Sequence, residues 1–304
     1  MLRQRVLAAL LGLPMLFLLL WCNWYVRQHF SIGSDDLFLL LIVLIIVSIS
    51  GWEVSQIVRH RFAQAAPWNG VYAALIVPFI IHAIRPNIAG QIVPSVSGFG
   101  LLIDSVGATT AVMLLFLGVW SDVERRGREG ILENLFVVPA GFYLGITSSF
   151  LLLLGETHFH EMAAVYLFII VFALDTAAYF GGKYIGGARI APAISPNKTW
   201  SGSIIGFLGA CLFSVLFLLL PGVPGIAARI GDVIPWWGLL LVGGGAGIAG
   251  QIGDLVESAF KRWGGVKDSG QALPGHGGFL DRFDSFFLAA PVGYLLMLIF
   301  LLGH

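Results

Sequence analysis

The chain has 304 residues, of which 58% are hydrophobic and only 11% charged, and its mean hydropathy is +0.89. No soluble fold hides that much apolar surface in one core, so lipid must be the solvent for most of the chain. A net charge of zero excludes a whole-protein pull on nucleic acid or another polyanion, so any anion site has to be local.

A bilayer core takes roughly 20 apolar residues per helix. About nine runs qualify, near 6–26, 37–57, 68–84, 104–120, 132–154, 162–182, 202–220, 236–259 and 286–302. They predict an all-α, polytopic transmembrane helical bundle. An N-terminal transmembrane region, 1–130, holds about four spans, and a catalytic region, 131–304, holds about five with two cytoplasmic substrate loops.

The first run follows Arg3 and Arg5, exceeds a typical signal-peptide core in length and contains Trp21 and Trp24, so it reads as a retained span. Pro78 interrupts the third run, and the Gly- and Ser-containing stretch 87–100 before the fourth reads as an outer loop or a re-entrant segment. Cys22 and Cys211 lie in apolar runs far apart, as buried thiols do.

With the N-terminus cytoplasmic, the inner side collects Arg3, Arg5, Arg59, Arg61, Arg125, Arg126, Arg128, Lys183, Arg189, Lys198, Lys261, Arg262, Lys267 and Arg282. Only Arg27, Arg85 and Arg229 fall outside, a fourteen-to-three bias that predicts N-in, C-out topology with nine spans, eight being the competitor. The outer loops carry Asp35, Asp36, Glu156, His158, His160, Glu161 and Asp232. Of these His158 and His160 could touch a metal but read first as solvated surface.

Two inner segments differ in kind. The first runs Asp175-Thr-Ala-Ala-Tyr-Phe-Gly-Gly-Lys183, then Ile194-Ser195-Pro196-Asn197-Lys198-Thr199-Trp200. Asp175 lies at membrane depth, where an unpaired carboxylate costs about 3 kcal/mol, so it calls for a cation, a basic partner such as Lys183, or a proton. Ser195, Lys198 and Thr199 put hydroxyls and an ammonium before a helix start, which suits phosphate, although an ordinary capped loop has the same residues.

The second segment is more specific. It contains Asp254, Glu257, Ser258, Lys261-Arg262, Lys267-Asp268, His276-Gly277-Gly278 and Asp281-Arg282-Phe283-Asp284. Asp254 and Ser258 share one helical face, as do Asp281 and Asp284. Converging carboxylates repel unless a hard divalent cation bridges them, and Mg²⁺ is the usual ion where substrate phosphates share the site. Asp254, Asp281 and Asp284 are the candidate ligands, and the interleaved bases suit the anion. Positive-inside flanking explains Lys261 and Arg262 but not the acids or the paired glycines.

The run from Ser258 to Asp284 resembles the signature of the bacterial CDP-diacylglycerol synthases, or phosphatidate cytidylyltransferases, and 175–179 and 195–200 resemble upstream elements of that family. The specific likeness covers about the last 130 residues. One departure is Ser201-Gly202, where the family commonly has an acid before the glycine; that carboxylate's role is lost here or passed to another residue such as Glu257.

The resemblance implies Mg²⁺-dependent condensation of CTP with phosphatidate, giving CDP-diacylglycerol and pyrophosphate, in the bacterial inner membrane with the site facing the cytoplasm. A second metal or a monovalent cation is open, and a homodimer is a family expectation. The lipid phosphate is itself the nucleophile, so the catalytic set of Asp254, Lys261, Arg262, Lys267, Asp268, His276, Asp281, Arg282 and Asp284 supplies charge neutralisation and alignment. Asp175, Ser195, Lys198, Thr199, Ser258, Gly277 and Gly278 are expected to bind substrate, the glycines by backbone approach to a phosphate. Phe283, Phe286 and Phe287 either line a lateral opening for acyl chains or pack against lipid.

Three other readings compete. An ether-lipid cytidylyltransferase or a polyprenol kinase would also use CTP. An ion-coupled transporter would need midplane polar residues and an inverted repeat, and the sequence displays neither. The pattern of the CDP-alcohol phosphotransferases is absent.

Overall fold

Eight of the nine apolar runs are helices in the computed structural model, which describes residues 37–62, 68–88, 98–155, 161–217, 230, 233–270 and 277–301. In chain order these are α1 (Leu37–Arg61), α2 (Asn69–Ile88), α3 (Gly98–Arg126), α4 (Arg128–Gly155) and α5 (Glu161–Tyr184), then α6 (Trp200–Leu216), α7 (Trp236–Trp263) and α8 (Leu280–Leu301). The run at 6–26 lies outside the described residues, as do Cys22, Asp35, Asp36, Glu156, His158, His160, Arg229, Asp232 and most of 87–100. Among the described residues six helices are long and apolar enough to cross a membrane, all but α2 and α6, whose apolar stretches are shorter. The chain is thus a multi-span helical membrane protein.

Most helices overrun their apolar cores into polar flanks. α7 continues through Lys261-Arg262, and α8 starts at Leu280, so Asp281 to Ser285 form its first turns rather than a loop. Basic side chains in the last turn of α1, α3 and α7 complement the helix dipole there.

The chain divides into two compact units. One comprises Met1–Glu156 and Trp263–Arg282, the other Thr157–Arg262 and Phe283–His304.

In the first unit α2 packs on α1, α3 and α4 through bare backbone. A Cβ on Gly51 would lie 2.8 Å from the Gly70 carbonyl, and one on Gly141 would lie 2.5 Å from that same oxygen. Small residues of this kind are what let helices associate in lipid, where apolar side chains gain nothing by leaving the solvent. Pro78 does not interrupt α2. Lacking an N–H, it leaves the Ala74 carbonyl without its helical donor, and that oxygen faces Gly145 of α4, where a Cβ would come within 2.5 Å.

The first unit also buries a polar network absent from the sequence reading. Asn69 donates to Asp122 and to Asn134, each at 2.8 Å, and Arg126 pairs with Asp122 and Glu133. His82 Nδ1 lies 2.8 Å from Asp104, both residues fully buried. One residue, Gly127 at φ +54°, turns α3 into α4, and its N–H closes on the Val123 carbonyl at 2.8 Å. By contrast α3 exposes Leu102, Val106, Met113, Phe116, Leu117 and Trp120, a surface that lipid tolerates and water does not.

In the second unit α6 lies on α5 along Gly202, Gly206 and Gly209. Cβ atoms there would come within 2.8, 2.9 and 2.6 Å of Ala178 O, Ala178 Cβ and Ala177 Cβ. Tyr166, buried in α5, hydrogen-bonds Ser214 at 2.5 Å, and Ser214 donates to Leu239 O at 2.5 Å. Cys211 is a partly buried free thiol, as expected. The all-α expectation omitted one small element, an antiparallel hairpin of β1 (Arg189–Ala191) and β2 (Ser195–Thr199) that pairs Arg189 with Thr199 and Ala191 with Ser195.

Candidate active site

The site is assembled where α7 meets the first turns of α8. Gly253 has no side chain because none fits: a Cβ would lie 2.6 Å from the Asp284 carbonyl oxygen. One turn earlier a Cβ on Gly250 would meet Ser285 O at 3.4 Å. These glycines bring the two backbones together, and the residues that follow Gly253 on α7 then face Asp284.

Asp254 and Glu257 lie three apart on α7 and so share a face. With Asp284 they form a group whose ligand atoms all lie within 4.8 Å of one another. Asp284 stands in the field of Asp175 as well as of these two. Three hard carboxylates this close fit a divalent cation such as Mg²⁺ by donor chemistry and by charge. The group takes in Glu257, whereas the sequence reading named Asp254, Asp281 and Asp284 as ligands.

Lysines balance these acids. Lys198 Nζ lies 2.5 Å from Asp254 Oδ2, both side chains about a quarter exposed, and buried Lys261 Nζ lies 2.5 Å from Glu257 Oε2. Ser258 donates to Asp254 at 3.3 Å, and Ser285 Oγ reaches Asp175 at 3.5 Å. Lys183 does not stand on Asp175; its ammonium lies 5.7 Å from the ring centres of both Tyr179 and Tyr184.

Lys198 is held in place by the hairpin. Arg262 Nε, at the end of α7, donates to Ile194 O in the hairpin turn at 3.1 Å. Thr199 caps α6 by accepting from Gly202 N at 3.1 Å, and Ser201, which stands where the resemblance expected an acid, donates to Gly186 O. Ser195, where the hairpin's second strand begins, is partly exposed.

In the first unit, a second constellation is built around the turn before α8. Asp281 Oδ2 accepts from Ser269 N at 2.9 Å, Ser269 Oγ at 3.1 Å and Gly278 N at 2.8 Å. Gly277 has φ +82°, and a Cβ there would sit 2.7 Å from Asp281 Oδ2, so two separate constraints select glycine. Buried Glu53, from α1, accepts from Phe279 N at 2.8 Å, Leu280 N at 2.7 Å and Ser269 Oγ at 2.7 Å. Lys267, Asp268 and Arg282 are exposed, and His276 lies outside the described residues.

A model of the cytidylyltransferase family matches residues 3–300, nearly the whole chain. The chain belongs to that family. Among its relatives, a phosphatidate cytidylyltransferase of Brucella suis is 44% identical over 160 residues, which cover 52% of this chain and 56% of that protein. The match therefore spans little more than half of that relative's length. One of Rickettsia bellii is 35% identical over 181 residues, 60% of this chain and 74% of its own. One of Staphylococcus haemolyticus is 30% identical over 267 residues, 88% and 91% of the two chains.

Within this family member, the second unit brings together Asp175, Lys198, Thr199, Asp254, Ser258, Lys261, Arg262 and Asp284, while the first unit carries Lys267, Asp268, Gly277, Gly278, Asp281 and Arg282. Sequence reasoning missed Glu53, a lone acid in an apolar helix outside any motif. Its signal was the cost of a carboxylate at membrane depth, the argument that singled out Asp175. Phe286 and Phe287 do not face lipid: each is 2% exposed, and Phe286 stacks on Phe168 with ring centres 4.0 Å apart.

Proposed function

We propose that this cytidylyltransferase condenses CTP with phosphatidate, releasing pyrophosphate and forming CDP-diacylglycerol for phospholipid synthesis. The observation that carries the reading is the carboxylate group of Asp254, Glu257 and Asp284, with Lys198 and Lys261 on its edges. The names of the relatives point to the same substrates.

Asp254, Glu257 and Asp284 would hold the Mg²⁺. Asp281, three residues before Asp284 on α8, is the further carboxylate. When bound, the ion supplies neutralising charge to phosphate oxygens. Glu257 then takes over the acidic role that Ser201 cannot fill.

A phosphatidate oxygen attacks the α-phosphorus of CTP, a new P–O bond forms in line with the one that breaks, and pyrophosphate leaves with the electron pair. The chain's own contribution is alignment and charge. Lys198 and Lys261, beside the grouped carboxylates, would meet substrate phosphate oxygens, and Arg262, Lys267 and Arg282 would neutralise the remaining anionic oxygens. Asp268 would orient the neighbouring lysine, and His276 would hydrogen-bond the leaving pyrophosphate. Ser195, Thr199, Ser258 and Gly277 would contact substrate phosphates, with Asp175 near a second cation position.

The topology we propose is nine spans, N-in and C-out, in the bacterial cytoplasmic membrane, with the site on the cytoplasmic face, where soluble CTP meets a bilayer-resident phosphate. The basic bias supports it. A homodimer is proposed from family likeness alone. The test supplies purified protein with labelled CTP and phosphatidate, with and without Mg²⁺. Labelled CDP-diacylglycerol and equimolar pyrophosphate are expected only with the ion. Phosphorylation of a polyprenol with release of CDP, or turnover without phosphatidate, would reject the assignment.

A further inference from the structure

We infer that Glu53 is a positioning residue for the reaction, acting from α1 on the turn that presents Asp281 and Arg282. The inference rests on the proposed function for its catalytic meaning, and on geometry for everything else.

α8 begins with backbone N–H groups that no helical carbonyl can satisfy. Two of them, from Phe279 and Leu280, are taken one each by the two carboxylate oxygens of Glu53, at 2.8 and 2.7 Å. The negative charge also lies at the positive end of the helix dipole. Ser269 links this anchor to Asp281, because its Oγ lies 2.7 Å from Glu53 Oε2 and 3.1 Å from Asp281 Oδ2. The fit is tight. Cβ atoms on Gly270 and Gly278 would lie 2.7 and 2.5 Å from Glu53 carboxylate oxygens. The glycine pair of the signature is therefore shaped in part by a residue more than 200 positions away, since Leu280 and Glu53 are separated by 227.

Chemistry singles out the carboxylate. Glutamine has the same shape but one oxygen, so its NH₂ would face one of the two backbone N–H donors. Aspartate keeps both oxygens on a shorter arm.

The experiment compares wild type, Glu53→Gln, Glu53→Asp and Ser269→Ala in detergent. It reads kcat, KM for CTP, the Mg²⁺ concentration for half-maximal turnover, and amide exchange at 279–281. Glu53→Gln is expected to lower kcat on the order of 10- to 100-fold, to raise the Mg²⁺ requirement and to speed exchange at those amides, with KM for CTP little changed. Glu53→Asp should recover part of each effect.

Wild-type kcat, Mg²⁺ requirement and exchange in Glu53→Gln would overturn the inference, as would a loss spread evenly over all amides with no change in the Mg²⁺ curve. Should Glu53→Gln not fold, Ser269→Ala decides alone: it should show the same local exchange and Mg²⁺ shift in milder form, and unchanged values overturn the proposal. A wild-type protein that makes no CDP-diacylglycerol would defeat the proposed function separately, and the exchange data would still judge whether Glu53 holds the turn.

Discussion

Lys198 forms an ion pair with Asp254, one of the three grouped carboxylates, so its ammonium competes with a cation for that carboxylate as well as being able to meet a phosphate. Lys198→Ala should therefore tighten binding of a probe ion such as Mn²⁺ to the nucleotide-free protein, measured by spin resonance, while raising KM for CTP about tenfold, the loss of one charge-assisted contact. Asp284→Asn and Asp281→Asn should each abolish turnover without preventing insertion. For Asp284→Asn, Mn²⁺ binding should fall too, because one of the three grouped carboxylates is gone. Chelation by EDTA should stop the wild-type reaction, and added Mg²⁺ should restore it.

At the scale of elements, the glycine contact between α7 and α8 is the part on which the site depends most. Gly253→Val would drive a side chain into the Asp284 carbonyl, 2.6 Å from the first added carbon. We expect about 1–3 kcal/mol of destabilisation from such overpacking, visible as a lower melting temperature in detergent, together with loss of Mn²⁺ binding as Asp284 is pushed from Asp254 and Glu257. Helices were legible in the sequence because a bilayer imposes a length and a composition on them: each of the eight later apolar runs is a helix. The hairpin at 189–199 was not, since Ser195-Pro196-Asn197-Lys198-Thr199 shows no alternation of apolar and polar residues. Asp254 and Asp284 were legible from their spacing within a charged segment, while Glu257 entered only as a stand-in. The partners of Glu53 were not, because a contact between residues 227 apart leaves no local pattern. Phe286 and Phe287 show the same limit. Hydropathy says that a side chain avoids water but does not distinguish lipid from protein as its neighbour.

At the scale of the whole molecule, the charge bias gives the topology its test. Single cysteines replacing exposed Arg61 and Lys267 should react with a membrane-impermeant maleimide only after the cytoplasmic face is opened, and one at His304 should react in intact cells. Reaction of all three in intact cells would reject the proposed orientation. The turn at Gly127 also has a mechanical consequence. With a single residue between helices of 29 and 28 residues, the arms are about 43 and 42 Å long. So short a link leaves no slack between them, so neither arm can slide along its axis without dragging the other, and the turn fixes their register.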